Sequence, residues 1–298
     1  MATVDSVGPM TPPAWRVGDV TVTAIVELDL PAPFSMLLPD ATPDVVAEQR
    51  WLVPQWAVDT ETMVLRMQAL VIESGDRRIV VDTCIGNDKS RPGFDFFSDL
   101  QTSFLADLSA AGFAPDTIDT VTCTHLHVDH VGWNTQLVDG AWVPTFTNAR
   151  YLFSRTEYDH WLAECDGDHM HARPFQDSVR PVVDAGLAEF VEPPHQLTDE
   201  VSLVPTVGHT PGHCSVLIES HGHRATITGD MTHHPIQLAR PELASSADTD
   251  QVRSTATRRT FIADVCDTDM LVIGTHFGEP SAGHLRRVDG AVRFVPAD

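Results

Sequence analysis

Apolar and polar residues alternate in short runs along most of the chain, a pattern that is typical of β-strands. Residues 19–28 alternate in this way and predict a first strand. Two apolar runs, residues 67–73 and 78–82, are separated by Ser74-Gly75-Asp76-Arg77, a sequence typical of a tight turn. These two runs therefore predict a β-hairpin.

Helical spacing of apolar residues occurs between the strands. From residue 96 to 111 apolar side chains recur every three or four positions and Gly112 follows, which predicts a helix. Shorter helices are predicted over residues 155–164 and 257–266. The remaining patterns predict strands at residues 118–124, 149–154, 201–204, 214–219, 224–228 and 271–274, and a hairpin at residues 284–295 around Asp289-Gly290.

The segment after the first strand is apolar but interrupted by prolines. Residues 31–39 contain Phe34 and are followed by Trp51 and Trp56. Proline should exclude regular structure here without excluding burial. We interpret this part of residues 1–66 as the rim of a substrate site, with Phe34 and Trp51 contacting substrate, and as a homodimer contact; ordinary packing is the alternative.

The order of the predicted elements indicates the architecture. Strand-rich segments with interspersed helices occur in two successive halves, which favours two packed sheets with helices outside them, in an α+β fold. No Gly- or Ser-rich linker divides the halves. We therefore predict a single domain over residues 1–298.

Composition and charge narrow the classes of partner. The chain has 298 residues, with 42 acidic and 19 basic ones, for a net charge of −23. Such a surface repels nucleic acids and anionic membranes. Residues 1–15 lack the features of a signal peptide, and no apolar run is long enough to span a membrane. The five cysteines are scattered, as in reduced proteins, so we expect a cytoplasmic protein.

The densest group of metal-binding residue types is the run His125-Leu126-His127-Val128-Asp129-His130. His125 and His127 share a face only in an extended chain, so we expect them at the end of the strand over residues 118–124. Asp129 and His130 should then open the following turn or helix. Four such side chains exceed what one tetrahedral zinc with an open position requires. The run therefore predicts two adjacent metal ions.

Three further candidate ligands follow apolar strands. His209 lies in Gly208-His209-Thr210-Pro211-Gly212-His213, Asp230 follows Gly229, and His276 follows Thr275. Loops at the ends of strands are where a scaffold displays chemical groups.

Together these motifs resemble the metallo-β-lactamase superfamily over residues 70–276. The resemblance implies a four-layer αββα sandwich with a two-metal site at the edge between the sheets. It also implies a ligand set: one metal held by His125, His127 and His209, a second held by Asp129, His130 and His276, and Asp230 bridging both.

A site of this composition suits hydrolysis. Two divalent ions carry four positive charges, and Asp129, Asp230 and a bridging hydroxide remove three of them, leaving about +1 for a transition state that gathers negative charge. Metal-bound water with a pKa near roughly 7 is the expected nucleophile. Asp129, which should orient or deprotonate it, and Asp230 are the predicted catalytic residues. The ligands fit zinc first, and also manganese, iron or cobalt.

Departures from the superfamily pattern favour one branch. Asp230 stands where one group of zinc β-lactamases has cysteine, which disfavours antibiotic hydrolysis. Gly86-Asn87-Asp88-Lys89 and residues 111–119 resemble the lactonase and methyl-parathion-hydrolase group. N-acyl-homoserine lactonases have a tyrosine three residues after the bridging aspartate, where this chain has His233, a candidate substrate contact. Lactones in general are therefore favoured over acyl-homoserine lactones in particular.

The sequence thus predicts a dinuclear-metal hydrolase of a small-molecule lactone or related ester. Phosphotriester hydrolysis by the same site stays open. A mononuclear-iron sulfur dioxygenase is the alternative of another class, because that branch shares the six-residue motif. A metal-free scaffold protein should have lost ligands, and none is missing.

Several other polar residues receive structural interpretations. Asp82 should orient a ligand histidine or a turn rather than contact a metal. His213 is expected either to support a ligand or to be an ordinary loop residue. For His233 and His234, contact with the substrate and an ordinary position in a loop are equally favoured. The remaining histidines are interpreted as solvated: His160, His169, His171, His195, His221, His223 and His284.

Overall fold

The computed structural model describes residues 12–167 and 172–297. Residues 1–11, most of the segment examined for a signal peptide, lie outside the described residues. His169 and His171 also lie outside them. No helix in the described ranges is long and apolar enough to cross a membrane.

The described residues form strands and helices with the following bounds. The strands are β1 Ala14–Val17, β2 Val20–Pro33, β3 Thr62–Ser74, β4 Arg77–Val81, β5 Thr120–Thr122, β6 Thr135–Val138, β7 Ala141–Pro144, β8 Arg150–Ser154, β9 Ala188–Val191, β10 His195–Gln196, β11 Val201–Pro205, β12 Cys214–Ser220, β13 His223–Ile227, β14 Leu271–Ile273, β15 Ala282–Val288 and β16 Ala291–Pro296. The helices are α1 Phe34–Leu37, α2 Pro43–Ala47, α3 Phe104–Ala110, α4 Arg155–Ala163, α5 Ala172–Pro174, α6 Arg180–Asp184, α7 Ile236–Ala239 and α8 Gln251–Val265, with a π-helical turn at Phe175–Val179.

Two seven-stranded sheets dominate the fold. The first has the order β1-β2-β3-β4-β5-β8-β9 and the second β10-β11-β12-β13-β14-β15-β16, while β6 and β7 form a small separate hairpin. Strands β4, β5, β8 and β9 pair in parallel, as do β13 and β14. The other pairs are antiparallel, including the predicted hairpins β3–β4 and β15–β16.

Side chains that alternate along the strands separate the layers. In β3, Leu70 and Ile72 pack between the sheets with Val216 and Ile218 of β12, whereas Val71 faces the other way. Helices α3, α4 and α6 pack on the outer face of the first sheet, and α7 and α8 pack on the second. The predicted αββα arrangement is confirmed.

Two predicted helices begin at different residues in the structure. The helix predicted from residue 96 begins only at Phe104, because residues 98–103 are irregular and Asp99 adopts a left-handed φ of 53°. The helix predicted from residue 257 begins at Gln251, because Asp250 caps it by accepting the Arg253 N–H at 2.9 Å.

The proline-interrupted segment contains regular structure, so the expectation that proline excludes it is wrong. Strand β2 continues through Pro31 to Pro33, paired with β3 on one side. Its pairing with β1 ends at Thr23. Beyond that point no strand pairs with the other edge of β2, so the missing N–H of a proline costs no hydrogen bond there. Helix α1 follows directly.

His234 is buried and gives the fold a dependence on pH. Its Nε2 lies 2.8 Å from the Trp56 carbonyl oxygen, and its Nδ1 accepts the Ile236 N–H at 3.2 Å. Burial lowers the pKa of His234 to about 4. In the unfolded chain a histidine takes up a proton below about pH 6.5, while the folded protein keeps His234 neutral. Stability is therefore lost as the pH falls.

We expect the free energy of unfolding of the metal-free protein to decrease between pH 6.5 and 4, by up to about 1.4 kcal/mol per pH unit from this proton. Urea titrations at several pH values measure it. His234→Gln should flatten this slope relative to the unmodified protein. Equal slopes for His234→Gln and the unmodified protein would contradict the assignment.

Candidate metal centre

The six-residue motif lies at a strand exit, as predicted. His125 and His127 occupy the loop directly after β5, and Asp129 and His130 lie in the turn that follows. Asp82, at the end of the neighbouring strand β4, accepts the Thr124 N–H at 2.8 Å and lies 2.9 Å from His130 Nδ1. The ends of two parallel strands are thereby joined just before the first histidine.

One group of side chains converges on Asp230 Oδ2. Ligand atoms of His125, His127, His209 and Asp230 all lie within 4.8 Å of one another. His209 Nε2 is 2.9 Å from His127 Nδ1, 3.2 Å from His125 Nε2 and 3.3 Å from Asp230 Oδ2. Three imidazole nitrogens and one carboxylate oxygen therefore face a common point.

A second group converges on the other oxygen of the same carboxylate. Asp230 Oδ1 lies 3.1 Å from His276 Nε2 and 3.3 Å from His130 Nε2. The two nitrogens are 3.1 Å apart, and Asp129 oxygens lie 3.6 Å and 3.7 Å from His276 and His130. The structure thus brings all seven predicted ligands together, with Asp230 between the two groups.

Acceptors behind the imidazoles suit them to hold metal ions. His209 Nδ1 lies 3.0 Å from Asp248 Oδ1, and His276 Nδ1 lies 3.0 Å from the Arg66 carbonyl oxygen. When the outer ring nitrogen carries the hydrogen and directs it at one of these oxygens, the inner nitrogen keeps a free lone pair that can coordinate a metal. Asp82 can orient His130 in the same way. Clustered nitrogen and carboxylate ligands of this kind fit a pair of divalent cations.

Burial and charge act in opposite directions on the groups of this centre. Burial lowers the pKa of His125 well below its ordinary value. Burial also disfavours the charge on His130, but the carboxylates of Asp230 and Asp82 hold its pKa well above the usual range. For Asp230, burial raises the pKa, but the surrounding imidazoles, with His130 first, outweigh it and lower the pKa. The centre is arranged to keep Asp230 ionised.

His213 supports Asp230 from behind. Its Nε2 accepts the Asp230 N–H at 2.8 Å, and its Nδ1 lies 3.0 Å from the Thr206 carbonyl oxygen. Burial lowers the pKa of His213 to about 3, so the ring stays neutral and keeps both roles. Gly229 is required beside it, because a Cβ there would lie 2.6 Å from His213 Nε2. Asp248, which orients His209, was missed because its loop carries no motif.

A cavity of about 530 Å³ opens above the centre. His127, Asp129, Asp230 and His276 form its polar floor. Its walls are mostly apolar and come from distant parts of the chain: Leu30, Met36, Leu65, Phe94, Phe97 and Trp161. Among the described residues, no lysine or arginine lines it. The cavity therefore suits an uncharged, apolar ligand.

The three candidate substrate residues have different positions. His233 lines the cavity, with its Nε2 3.2 Å from Asp230 Oδ2. Phe34 is 2% exposed and packs against His234, and Trp51 packs against Trp56, so neither lines the cavity. Helix α1 turns Phe34 into the core and presents Met36 and Leu37 to the cavity instead. The segment therefore reaches the cavity through Met36 and Leu37, whereas the predicted contacts Phe34 and Trp51 are wrong as cavity-lining residues.

The sequence profile of the Metallo-beta-lactamase superfamily matches residues 67–276. The chain belongs to this superfamily. The matched range starts within β3 and ends at His276, so it contains every residue of the two groups.

Proteins with similar sequences or structures include two lactonases and a hydrolase. N-acyl homoserine lactonase AiiA of Bacillus thuringiensis subsp. kurstaki is 29% identical over 119 residues, which is 38% of this chain. The match also spans only 38% of that relative's length. The structure of a hydrolase named AbOPH has a TM-score of 0.79 at 23% identity, covering 97% of this chain and 98% of that one. AidC, a dizinc quorum-quenching lactonase, has a TM-score of 0.74 at 19% identity, covering 96% and 97%.

Proposed function

We propose that this protein is a dinuclear-metal hydrolase that opens a lactone or cleaves a related ester of a small molecule. The observation that carries the proposal is the position of Asp230, whose two oxygens face two separate His/Asp groups on the floor of an apolar cavity. The lactonase names of the similar proteins support the same reaction class.

In this proposal each group of side chains would hold one cation, and both groups would share Asp230. His125, His127 and His209 would hold the first, and Asp129, His130 and His276 would hold the second. When bound, a pair of divalent cations supplies Lewis acidity that lowers the pKa of a water to roughly 7 and polarises the attacked carbonyl. Zinc is the first candidate, with manganese, iron and cobalt as alternatives.

The chain's own residues supply orientation and accept the proton. The Asp129 side chain is 17% exposed and faces the cavity, so its carboxylate can orient the attacking water and accept its proton. Asp230 stays ionised, so each of its oxygens would be available to one of the two cations. His233 stands beside Asp230 at the cavity wall, where it can contact the substrate.

The lining of the cavity favours neutral substrates. Lactones, aryl esters and phosphotriesters carry no net charge, whereas a phosphate monoester would find no lysine or arginine among the wall residues that the structure describes. Phosphotriester hydrolysis by the same centre is the second candidate. Two complete groups of ligands favour two metals over the mononuclear-iron alternative. The homodimeric state and the cytoplasmic location stay predictions from the sequence.

A substrate panel tests the proposal. Purified protein loaded with zinc should hydrolyse γ- or δ-lactones that carry an apolar chain, and a chelator should remove this activity. Acyl-homoserine lactones, aryl esters and a phosphotriester belong in the same panel. Turnover of the phosphotriester alone would transfer the proposal to the second candidate, and no hydrolysis by a metal-loaded, folded sample would contradict both.

Phe94, Phe96 and Phe97 form an aromatic wall of the cavity. This wall should determine how tightly the apolar chain of a substrate binds. Phe94 lines the cavity and packs against Phe96 and Phe97 with centroids 5.9 Å and 6.0 Å apart. Losing its contact with a long acyl chain costs about 1.5–3 kcal/mol, which corresponds to a KM increase of roughly 10–100-fold for Phe94→Ala. Steady-state kinetics on a chain-length series measure it.

A second variant and the short-chain substrates serve as controls for this prediction. Phe190 is a partly buried phenylalanine of β9 that does not line the cavity, so Phe190→Ala should leave KM unchanged. Short-chain lactones should be nearly insensitive to Phe94→Ala. An equal KM increase for short and long chains would show that the ring does not contact the chain.

A further inference from the structure

A buried carboxylate on α4 joins the two loops that carry the first group of histidines. Glu157 is 1% exposed and lies in the first turn of the helix. Its Oε1 accepts the Leu126 N–H at 3.2 Å and the Trp161 Nε1–H at 2.5 Å. Its Oε2 accepts the Gly212 N–H at 2.9 Å. Three N–H donors thus compensate for burying the charge.

The two backbone donors occupy informative positions. Leu126 lies between His125 and His127, and Gly212 lies three residues after His209 in the second loop. The second loop packs directly on the helix, because a Cβ on Gly212 would lie 2.3 Å from the Glu157 backbone nitrogen. One side chain therefore fixes the separation of loops that are more than 80 residues apart in the sequence.

The third donor links the same carboxylate to the cavity. Trp161 lines the cavity, and its ring packs edge-on against the His127 ring with centroids 5.1 Å apart. Glu157 therefore restrains His127 from two directions, through the backbone of Leu126 and through the indole of Trp161.

The second group of ligands has different supports. Asp82 lies against His130, and the Arg66 carbonyl oxygen lies against His276. None of the hydrogen bonds described for Glu157 reaches Asp129, His130 or His276. A change at Glu157 should therefore act on one half of the centre.

We propose that Glu157 is a positioning residue that sets the spacing of His125, His127 and His209, and thereby the affinity for the first metal ion. This inference rests on the two-metal site of the proposed function. Partners that orient metal ligands typically change metal affinity by about 10–100-fold when they are removed. The effect should be confined to one of the two ions.

The test compares metal binding by the full-length protein and three variants. Glu157→Gln turns one oxygen into an NH₂ group, which cannot accept an N–H, so one loop loses its anchor. Glu157→Asp keeps the charge but is one methylene shorter, so it cannot reach both loops. Glu164→Gln, on an exposed residue at the end of the same helix, is the matched control for charge.

Competition with a chelator, followed by metal analysis and by Co²⁺ absorption spectra, gives the affinity of each site without measuring activity. We expect Glu157→Gln and Glu157→Asp to bind the first ion roughly 10–100-fold more weakly, and to retain the second ion at unmodified affinity. Glu164→Gln should bind both ions like the unmodified protein. Circular dichroism of the metal-free samples establishes that the variants are folded.

Three results would overturn the inference, and they differ from failure of the proposed function. Unchanged binding of both ions by Glu157→Gln and Glu157→Asp would show that the carboxylate does not position the histidines. Equal weakening of both ions, or a folded structure lost in both variants, would show a general structural role. An unmodified protein that binds no metal would instead contradict the two-metal site itself.

Discussion

Asp230→Asn should abolish hydrolysis, because Asp230 is the residue on which both groups of ligands converge. Its Oδ2 lies 3.3 Å from His209 Nε2 and its Oδ1 lies 3.1 Å from His276 Nε2. Asparagine has nearly the same shape but no charge, so two divalent cations would face each other without a carboxylate between them. We expect turnover to fall by more than the roughly 10–100-fold that supporting residues of metal ligands cost.

Metal analysis and kinetics on one sample measure this effect. Asp230→Asn should retain fewer metal ions per chain than the unmodified protein. Asp264→Asn removes the same charge at an exposed position of α8 and should change neither quantity. If Asp230→Asn kept both ions and turnover within about tenfold of the unmodified protein, Asp230 would not have the role assigned to it.

Arg258→Ala should produce the largest loss of stability among single substitutions near the centre. The guanidinium is fully buried and donates to the carbonyl oxygens of Met231 at 3.0 Å and Pro241 at 2.7 Å. It also lies 3.7 Å from Asp248, the residue that orients His209. Alanine would leave the two buried carbonyl oxygens without this donor and the buried Asp248 carboxylate without the cation that faces it, at a cost of about 3–5 kcal/mol.

Urea unfolding of the metal-free protein measures the loss without contributions from metal binding. Arg259, the next residue along α8, is exposed, so Arg259→Ala should change stability by no more than about 0.5 kcal/mol. Arg258→Ala should also weaken metal binding, since Met231 follows Asp230 directly. A loss below about 1 kcal/mol would show that the buried network does not stabilise the fold.

The positions of the candidate metal ligands were predictable because each is encoded locally. His125 and His127 alternate as an extended chain requires, and Asp230 follows a strand and a glycine, so each position could be identified without the rest of the fold. Asp82 was recognised for a similar reason, since it ends a strand. The metallo-β-lactamase resemblance then related these separate positions to one another.

The residues that orient the candidate ligands and the lining of the cavity could not be predicted, because both depend on contacts between distant segments. Glu157 looks like an ordinary residue in the first turn of a helix, yet its carboxylate reaches loops at Leu126 and Gly212. Phe34 was chosen for its size and neighbourhood, but whether an aromatic ring lines a cavity or fills the core depends on how α1 is oriented. That orientation is set by tertiary packing.

The helix predicted from residue 96 failed for a related reason. Phe97 and Leu100 have helical spacing with the later apolar residues. In the structure, however, both belong to the loop that carries the aromatic wall of the cavity, and both pack against the core there. Arg91 anchors the start of that loop through two hydrogen bonds to Asp177, at 2.6 Å and 3.1 Å. Tertiary contacts therefore override the local periodicity.

Titration of Zn²⁺ into metal-free protein, with lactone hydrolysis followed at each step, tests the central claim most directly. Because Asp230 joins two groups of ligands, we expect activity to rise until about two equivalents per chain and then to stop. Full activity at about one equivalent, or no activity with both sites filled, would contradict a hydrolase that needs both metal ions.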